Sequence, residues 1–351
     1  MMDFNKDLTL EQAVDLYESM PLEELCHVAD GIRKEKNPPQ RVTYQIDRNV
    51  NYTNVCISGC KFCNFHCTPL QKEKAYTLSI EDYIPKIKEL KDLGGDQLLL
   101  QGGLHPKYGI EFYEDLFRRL KEIEPSLKLN ALGPPEVAHI ARLSKLSYRQ
   151  TLERLVAAGL DTLPGAGAEI LSDRVRKELS PAKPGVSQWM EVMATAHQMG
   201  LSTTATMVYG HIETIEERMQ HLLSLRDLQK KKPEGAPGFR AFICWPMQLE
   251  GTQLQQLERH YSEAEFLRMI AVSRIVLNNI DHIQASWLTV GIEAGKKALH
   301  AGADDMGSIM IEENVVAAAG AHNSLGERQM IQAIKEAGFT PALRDQQYNL
   351  I

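Results

Sequence analysis

Asp47-Arg48-Asn49-Val50-Asn51-Tyr52-Thr53-Asn54-Val55 runs without a break into Cys56-Ile57-Ser58-Gly59-Cys60-Lys61-Phe62-Cys63-Asn64-Phe65-His66-Cys67. The first half reads as a strand and the second as a loop that carries four of the chain's six cysteines. Thiols this crowded cannot staple a fold, so the knot reads as metal ligation or redox chemistry in a reducing compartment. Cys26 and Cys244 stand apart and read as buried packing. Spacings of three and then two residues let one loop wrap Cys56, Cys60 and Cys63 around one face of a cubane iron–sulfur cluster, for which thiolates are suitably soft ligands. Three protein ligands leave one iron open. The competing reading is a closed tetrahedral zinc site completed by Cys67 or His66. With no second cysteine pair elsewhere, it makes a poor zinc ribbon.

Outward from this stretch, short strand-like segments alternate with longer amphipathic ones. After the strand at 47–55, further strands are expected near 97–101, 127–132, 160–164, 202–208, 239–244, 282–287 and 302–309. Ser79 opens a helical run bearing Ile84, Ile87, Leu90 and Leu93, and Gly94-Gly95 closes it. Thr214/Glu217 and Ser262/Glu265 form capping boxes ahead of later runs, and Gly159 and Gly200 fall at helix C-termini. Such alternation means parallel strands with helical crossovers. Eight units over this length predict an α/β fold, a TIM-type (β/α)8 barrel over residues 45–351. The alternative is an open sheet of fewer strands with the last part docked separately. Residues 9–35 carry a Thr9/Gln12 capping box and Leu10, Val14 and Tyr17 at helical spacing. They predict a helical N-terminal extension, 1–44, broken by Lys36-Asn37-Pro38-Pro39.

A barrel keeps its chemistry at the C-terminal ends of its strands. Gln101-Gly102-Gly103, Gly133-Pro134-Pro135-Glu136, Gly165-Ala166-Gly167-Ala168-Glu169 and Tyr209-Gly210-His211 all fall there, as an active-site rim would. The net charge of -7 argues against a polyanion-binding surface, so nucleic acid is not an expected partner. No apolar run is long enough to span a bilayer, and Met1 to Asp7 lacks the pattern of a signal peptide. A cytoplasmic protein without a membrane partner is expected.

The cysteine triplet resembles the signature of the radical S-adenosylmethionine (SAM) superfamily. The resemblance implies that the open iron chelates SAM and that its reductive cleavage yields a 5′-deoxyadenosyl radical, hard chemistry of the kind cofactors supply. It also implies that Phe62 lies beside the SAM adenine and the Gly102-Gly103 turn beside its amino group, glycine allowing close approach. By analogy Glu169 bonds the SAM ribose or amino group, and Arg176 pairs with its carboxylate. Asn49, Tyr52-Thr53-Asn54, Leu163 to Leu171 and Asp173-Arg174-Val175-Arg176 resemble the menaquinone and deazaflavin-cofactor branch. Thr203 to His211, Ala241 to Pro246, Ile283 to Trp287 and Met310 to Asn314 extend the likeness toward the C-terminus.

Within that branch the chain resembles the cyclases of the futalosine route, which implies dehypoxanthine futalosine as small-molecule substrate and a low-potential electron donor as partner. The radical would take hydrogen from the sugar 4′ carbon, the carbon radical would close onto the benzoate ring, and a proton and an electron would then leave. Tyr209 and His211 are the catalytic candidates, histidine titrating near neutrality and so suited to act as base. Gln284, Ser286 and Trp287 are the candidate substrate contacts. The alternatives are a sister enzyme, aminofutalosine synthase or the deazaflavin precursor synthase subunit, and a non-catalytic zinc-binding protein. Cys67 departs from the family pattern, in which no fourth cysteine is expected there.

Overall fold

Residues 41–51 form one extended run interrupted only at Ile46, giving β1 (Arg41–Gln45) and β2 (Asp47–Asn51). The computed structural model describes residues 4, 6–257, 262–315, 317–320 and 323–351. After β2 come β3 (Gln97–Gln101), β4 (Lys128–Ala131), β5 (Thr162–Leu163), β6 (Ser202–Tyr209), β7 (Gly238–Pro246), β8 (His282–Gln284), β9 (Asp305–Ser308) and β10 (Thr340–Leu343). From β2 to β9 each strand pairs in parallel with the next in sequence. β2 pairs with β3, while β1 pairs with β9. One run of chain therefore borders both ends of the series and closes it into a barrel, with β10 added along β1.

Each of the eight expected strand positions carries a strand, most of them trimmed at the ends. β8 stops at Gln284 because Ser286 adopts a left-handed φ of 47° and Trp287 opens a short helix, Trp287–Val290. β1 and β10 were not expected. β1 lies in the segment assigned to the N-terminal extension, so the barrel begins at Arg41 rather than at residue 45. Nothing turn-like separates Arg41–Gln45 from β2, and its last four residues are buried.

The expected N-terminal helix is two helices, Leu10–Ser19 and Leu22–Lys36. Pro21 divides them, having no N–H to donate into a continuing helix. The Thr9/Gln12 capping box forms in both directions, at 3.2 and 2.9 Å. These helices pack on the outer helices Ile215–Lys230 and Glu263–Val276. The run after Ser79 is the helix Ile80–Asp92, which buries Tyr83, Ile87 and Leu90. Ile84 and Leu93 are half exposed, so its apolar stripe is rotated from the expected face.

Strand alternation divides the interior from the helical shell. On β6, Thr204, Thr206 and Val208 face the central cavity, while Ala205, Met207 and Tyr209 join the apolar core beneath the helices. The chain after β10 shuts the barrel floor. Arg344 donates Nε and Nη2 to Asp305 at 2.5 and 2.9 Å and Nη1 to Gln45 Oε1 at 2.8 Å. Its guanidinium covers the Tyr348 ring at 3.9 Å, and that ring stacks on His282 at 3.7 Å.

Candidate active site at the open end of the barrel

The chain leaving β2 is lashed to the turn after β3 before it reaches its thiols. Gly103 donates to Thr53 O at 2.9 Å and Ile57 to Leu104 O at 3.1 Å. A Cβ on Gly103 would fall 2.2 Å from Val55 O and 2.9 Å from the Cys56 Cβ, and one on Gly102 would fall 2.7 Å from the Tyr52 ring. Both glycines are thus needed to seat β3 against the cysteine loop. On its far side the loop is pinned by Lys61, whose N–H reaches Leu179 O at 2.9 Å and whose carbonyl accepts from Gln253 at 3.1 Å.

Cys56, Cys60 and Cys63 all line one cavity of about 430 Å³. Leu104 and Ser58 aim backbone N–H groups at Cys56 Sγ, at 3.2 and 3.4 Å. Such N–H donors suit a thiolate ligand. Cys67 is held elsewhere: its thiol donates to Asn54 Oδ1 at 3.4 Å, and its backbone bonds both Asn54 and Cys56. Among the described residues no three His, Cys, Asp or Glu side chains converge tightly enough to share one metal ion. A cubane instead spreads its thiolates over separate iron corners, so three thiols facing one cavity fit that group.

Next to the thiols the cavity is walled by Phe62, Gly102, Gly103, Glu136, Glu169 and Lys183. Glu169 is buried with φ at 42°, a left-handed conformation that strains a residue with a side chain. Lys183 Nζ donates to it at 2.7 Å and hangs 5.4 Å over the Phe62 ring. Burial works to raise the Glu169 carboxyl, but the Lys183 and Arg176 charges outweigh it and hold the group below the usual carboxylate range. Glu136, in the first turn of the helix Pro134–Ser144, accepts on one oxygen from Tyr52 Oη at 2.7 Å and Gly102 N–H at 3.0 Å. Burial pushes its carboxyl up to about 7, against those hydrogen bonds.

Of the residues singled out from the sequence, Phe62, Gly102, Gly103, Glu169, Gln284 and the three cysteines reach the cavity. Five do not line it. Arg176 spends its guanidinium on the carbonyls of Gly167, Ala168 and Pro184, at 2.7 to 3.0 Å. It braces the strained turn at Glu169 instead of offering a free fork to a carboxylate. Tyr209 faces the helical shell because Val208, its neighbour, takes the inward position. His211 is fully committed: Nε2 meets Val208 O at 3.0 Å and Nδ1 lies 2.9 Å from Glu213. Ser286 stands at the N-terminus of the helix after β8, its buried Oγ without a partner among the described residues, and Trp287 is buried with its Nε1 on Ser308 O at 3.2 Å. Glu136 was visible in the sequence only as part of a rim motif, and Gln45, Asp47, Lys183 and Arg344, which also line the cavity, carried no signal.

Two family models match the chain: the radical SAM superfamily over residues 50–225, and the CofH/MqnC C-terminal region over residues 236–351. It is 44% identical over 343 residues to a cyclic dehypoxanthine futalosine synthase of Streptomyces coelicolor, covering 97% of this chain and 85% of that one. A second enzyme of that name, from Halalkalibacterium halodurans, is 41% identical, covering 98% and 91%. The 5-amino-6-(D-ribitylamino)uracil–L-tyrosine 4-hydroxyphenyl transferase of Archaeoglobus fulgidus is 36% identical, covering 93% and 94%. Among solved structures, methylornithine synthase superposes with a TM-score of 0.73 at 21% identity, covering 97% and 95%. The FeFe-hydrogenase maturase of Carboxydothermus hydrogenoformans gives 0.71 at 14%, covering 98% and 78%. Both likenesses are of fold.

Proposed function

We propose that this chain, which belongs to the radical SAM superfamily, closes dehypoxanthine futalosine into its cyclic product, as a cyclic dehypoxanthine futalosine synthase of menaquinone biosynthesis. The observation that carries this reading is the 44% and 41% identity, over nearly the whole chain, to two enzymes of that name. The transferase relative, at 36%, represents the sister activity, which product analysis separates.

Enzymes of this superfamily use a 4Fe-4S cluster and SAM, which together supply a 5′-deoxyadenosyl radical when bound. In this reading Cys56, Cys60 and Cys63 hold the cluster. Glu136, fixed at the Gly102 turn, suits the SAM ammonium, and the Phe62 face and the Glu169 carboxylate suit its adenine and ribose. The chain's own part is to hold the sugar 4′ carbon within reach of the radical and to keep water out. A walled cavity at the C-terminal end of the strands supports that part. The reading also brings a low-potential electron donor and a reducing, cytoplasmic setting, which suits six unpaired cysteines. Among the described residues no helix is long and apolar enough to cross a membrane.

The test is anaerobic incubation of reconstituted protein with SAM, a reductant and dehypoxanthine futalosine. Expected are 5′-deoxyadenosine, methionine and a product two hydrogens lighter than substrate. A product with its full hydrogen count, or one bearing SAM carbons, contradicts the cyclase reading.

A further inference from the structure

The cavity changes character with depth. Of its lining, Phe65, Met247, Met310 and Val315 lie on the loops that follow β2, β7 and β9, with Trp245 near the end of β7. Gln45 and Asp47, at the junction of β1 and β2, lie deeper along the strands, bonded to Arg344 and Ser308 and joined there by Gln284 and Gln346. Gln45 is only 4% exposed, yet its Nε2 has no partner among the described residues. The amide cannot turn to hide that donor. Arg344 Nη1 donates to its Oε1 at 2.8 Å, and a guanidinium accepts nothing, so the oxygen must face Arg344. Arg344 is itself fixed by two hydrogen bonds to the buried Asp305. The chain Asp305–Arg344–Gln45 therefore holds one buried N–H2 group, unspent, on a residue that lines the cavity, and an unmet buried donor is a costly thing to keep.

The ligand end that answers it is an oxygen. Arg344 is already neutralised by Asp305, and Asp47 brings a second carboxyl to the same end, so an anion finds no uncompensated positive charge there. Ser308 donates to Asp47, and Gln97 Nε2 does so at 3.3 Å, which leaves each carboxyl oxygen further capacity to accept. A neutral group that both accepts and donates fits this mixture, as hydroxyls do. The apolar mouth suits an aromatic ring.

We propose that the deep end of the cavity is a sugar subsite, in which the Gln45 amide donates to a substrate hydroxyl and the Asp47 carboxyl accepts from one. The assignment rests on the cyclase reading and places the sugar below the aromatic end. It is tested by calorimetric binding to reconstituted protein with SAM and no reductant. The probes are dehypoxanthine futalosine, its 2′,3′-dideoxy sugar analogue, and its carboxamide in place of the benzoate carboxylate. Gln45→Leu should weaken the parent compound about tenfold, the worth of one hydrogen bond to a buried donor, and should leave the dideoxy analogue unchanged. The carboxamide should lose as much affinity on Gln45→Leu as the parent does. Gln45→Glu, which keeps an oxygen for Arg344 at nearly the same size, repeats the cycle should the leucine variant misfold. If sensitivity to Gln45 vanishes with the carboxamide instead, the carboxylate lies at the floor and the assignment is overturned. It is equally overturned if neither probe is coupled to Gln45 while wild type still turns over dehypoxanthine futalosine, which leaves the cyclase reading standing. A wild-type protein that binds none of the three probes overturns both.

Discussion

At the level of single residues, the Cys67 thiol donates to Asn54 Oδ1 and is 3% exposed, inside a loop whose other three thiols face the cavity. Cys67→Ala is therefore expected to keep about four irons per chain after anaerobic reconstitution, and to cleave SAM. Cys60→Ala should lose both. Iron analysis reads the difference, and metal lost from Cys67→Ala but kept by Cys60→Ala would reverse the ligand set. Glu136 gives a second expectation. Burial lifts its carboxyl from an ordinary 4.5 to about 7, so between those values the folded chain holds a proton that the unfolded chain has released. Stability must then fall as pH rises through that window, by about 3 kcal/mol once above it. Glu136→Gln keeps an acceptor for Tyr52 and Gly102 without the ionisation. Urea midpoints of SAM-free protein should therefore decline less for the variant than for wild type between about pH 5 and 8. An equal decline in both places the loss elsewhere. That Cys56, Cys60 and Cys63 face one cavity was legible because thiols grouped in one loop leave their mark in spacing. Glu136 was not, since its environment is made by Tyr52 and Gly102, which lie on other elements.

Among the elements, β6 shows what strand position alone leaves open. Tyr209 and His211 end that strand, as an active-site rim requires, but the two-residue period turns Val208 inward and Tyr209 outward. Seeing this from sequence needs the inward register, which Thr204 and Thr206 set only once the barrel is closed. Tyr209 Oη has no partner among the described residues. Tyr209→Phe should accordingly leave turnover within about twofold and should not lower the melting temperature. A tenfold loss of turnover at unchanged stability would show that the hydroxyl reaches the chemistry. The turn after β3 carries an opposite expectation. A methyl on Gly103 meets Val55 O and the Cys56 Cβ well inside contact distance, so Gly103→Ala must displace the cysteine loop. Far-UV circular dichroism should stay near native while the reconstituted iron content falls. Full iron loading in a folded Gly103→Ala chain would mean that the loop adapts freely.

For the molecule as a whole, the alternation of strands and helices was enough to read a barrel, but not how it closes. Closure depends on Arg41–Gln45, too short and too near Pro38-Pro39 to stand out, and on the buried Arg344–Asp305 pair joining the last segment to the ninth strand. Arg344→Ala strands Asp305 and Gln45 together in the floor. It should cost about 3–5 kcal/mol, read as a lower urea midpoint. A change within 0.5 kcal/mol, roughly the level of an ordinary surface substitution, would show that the floor does not depend on this pair. Above that floor, the account joins the cysteine loop and the walled cavity into a single radical reaction on one substrate atom. Its most direct test is dehypoxanthine futalosine carrying deuterium at the sugar 4′ carbon, incubated anaerobically with reconstituted protein, SAM and reductant. The account predicts that the 5′-deoxyadenosine released carries one deuterium and that the cyclised product has lost it. Deoxyadenosine free of deuterium, beside a product that retains it, would contradict the account.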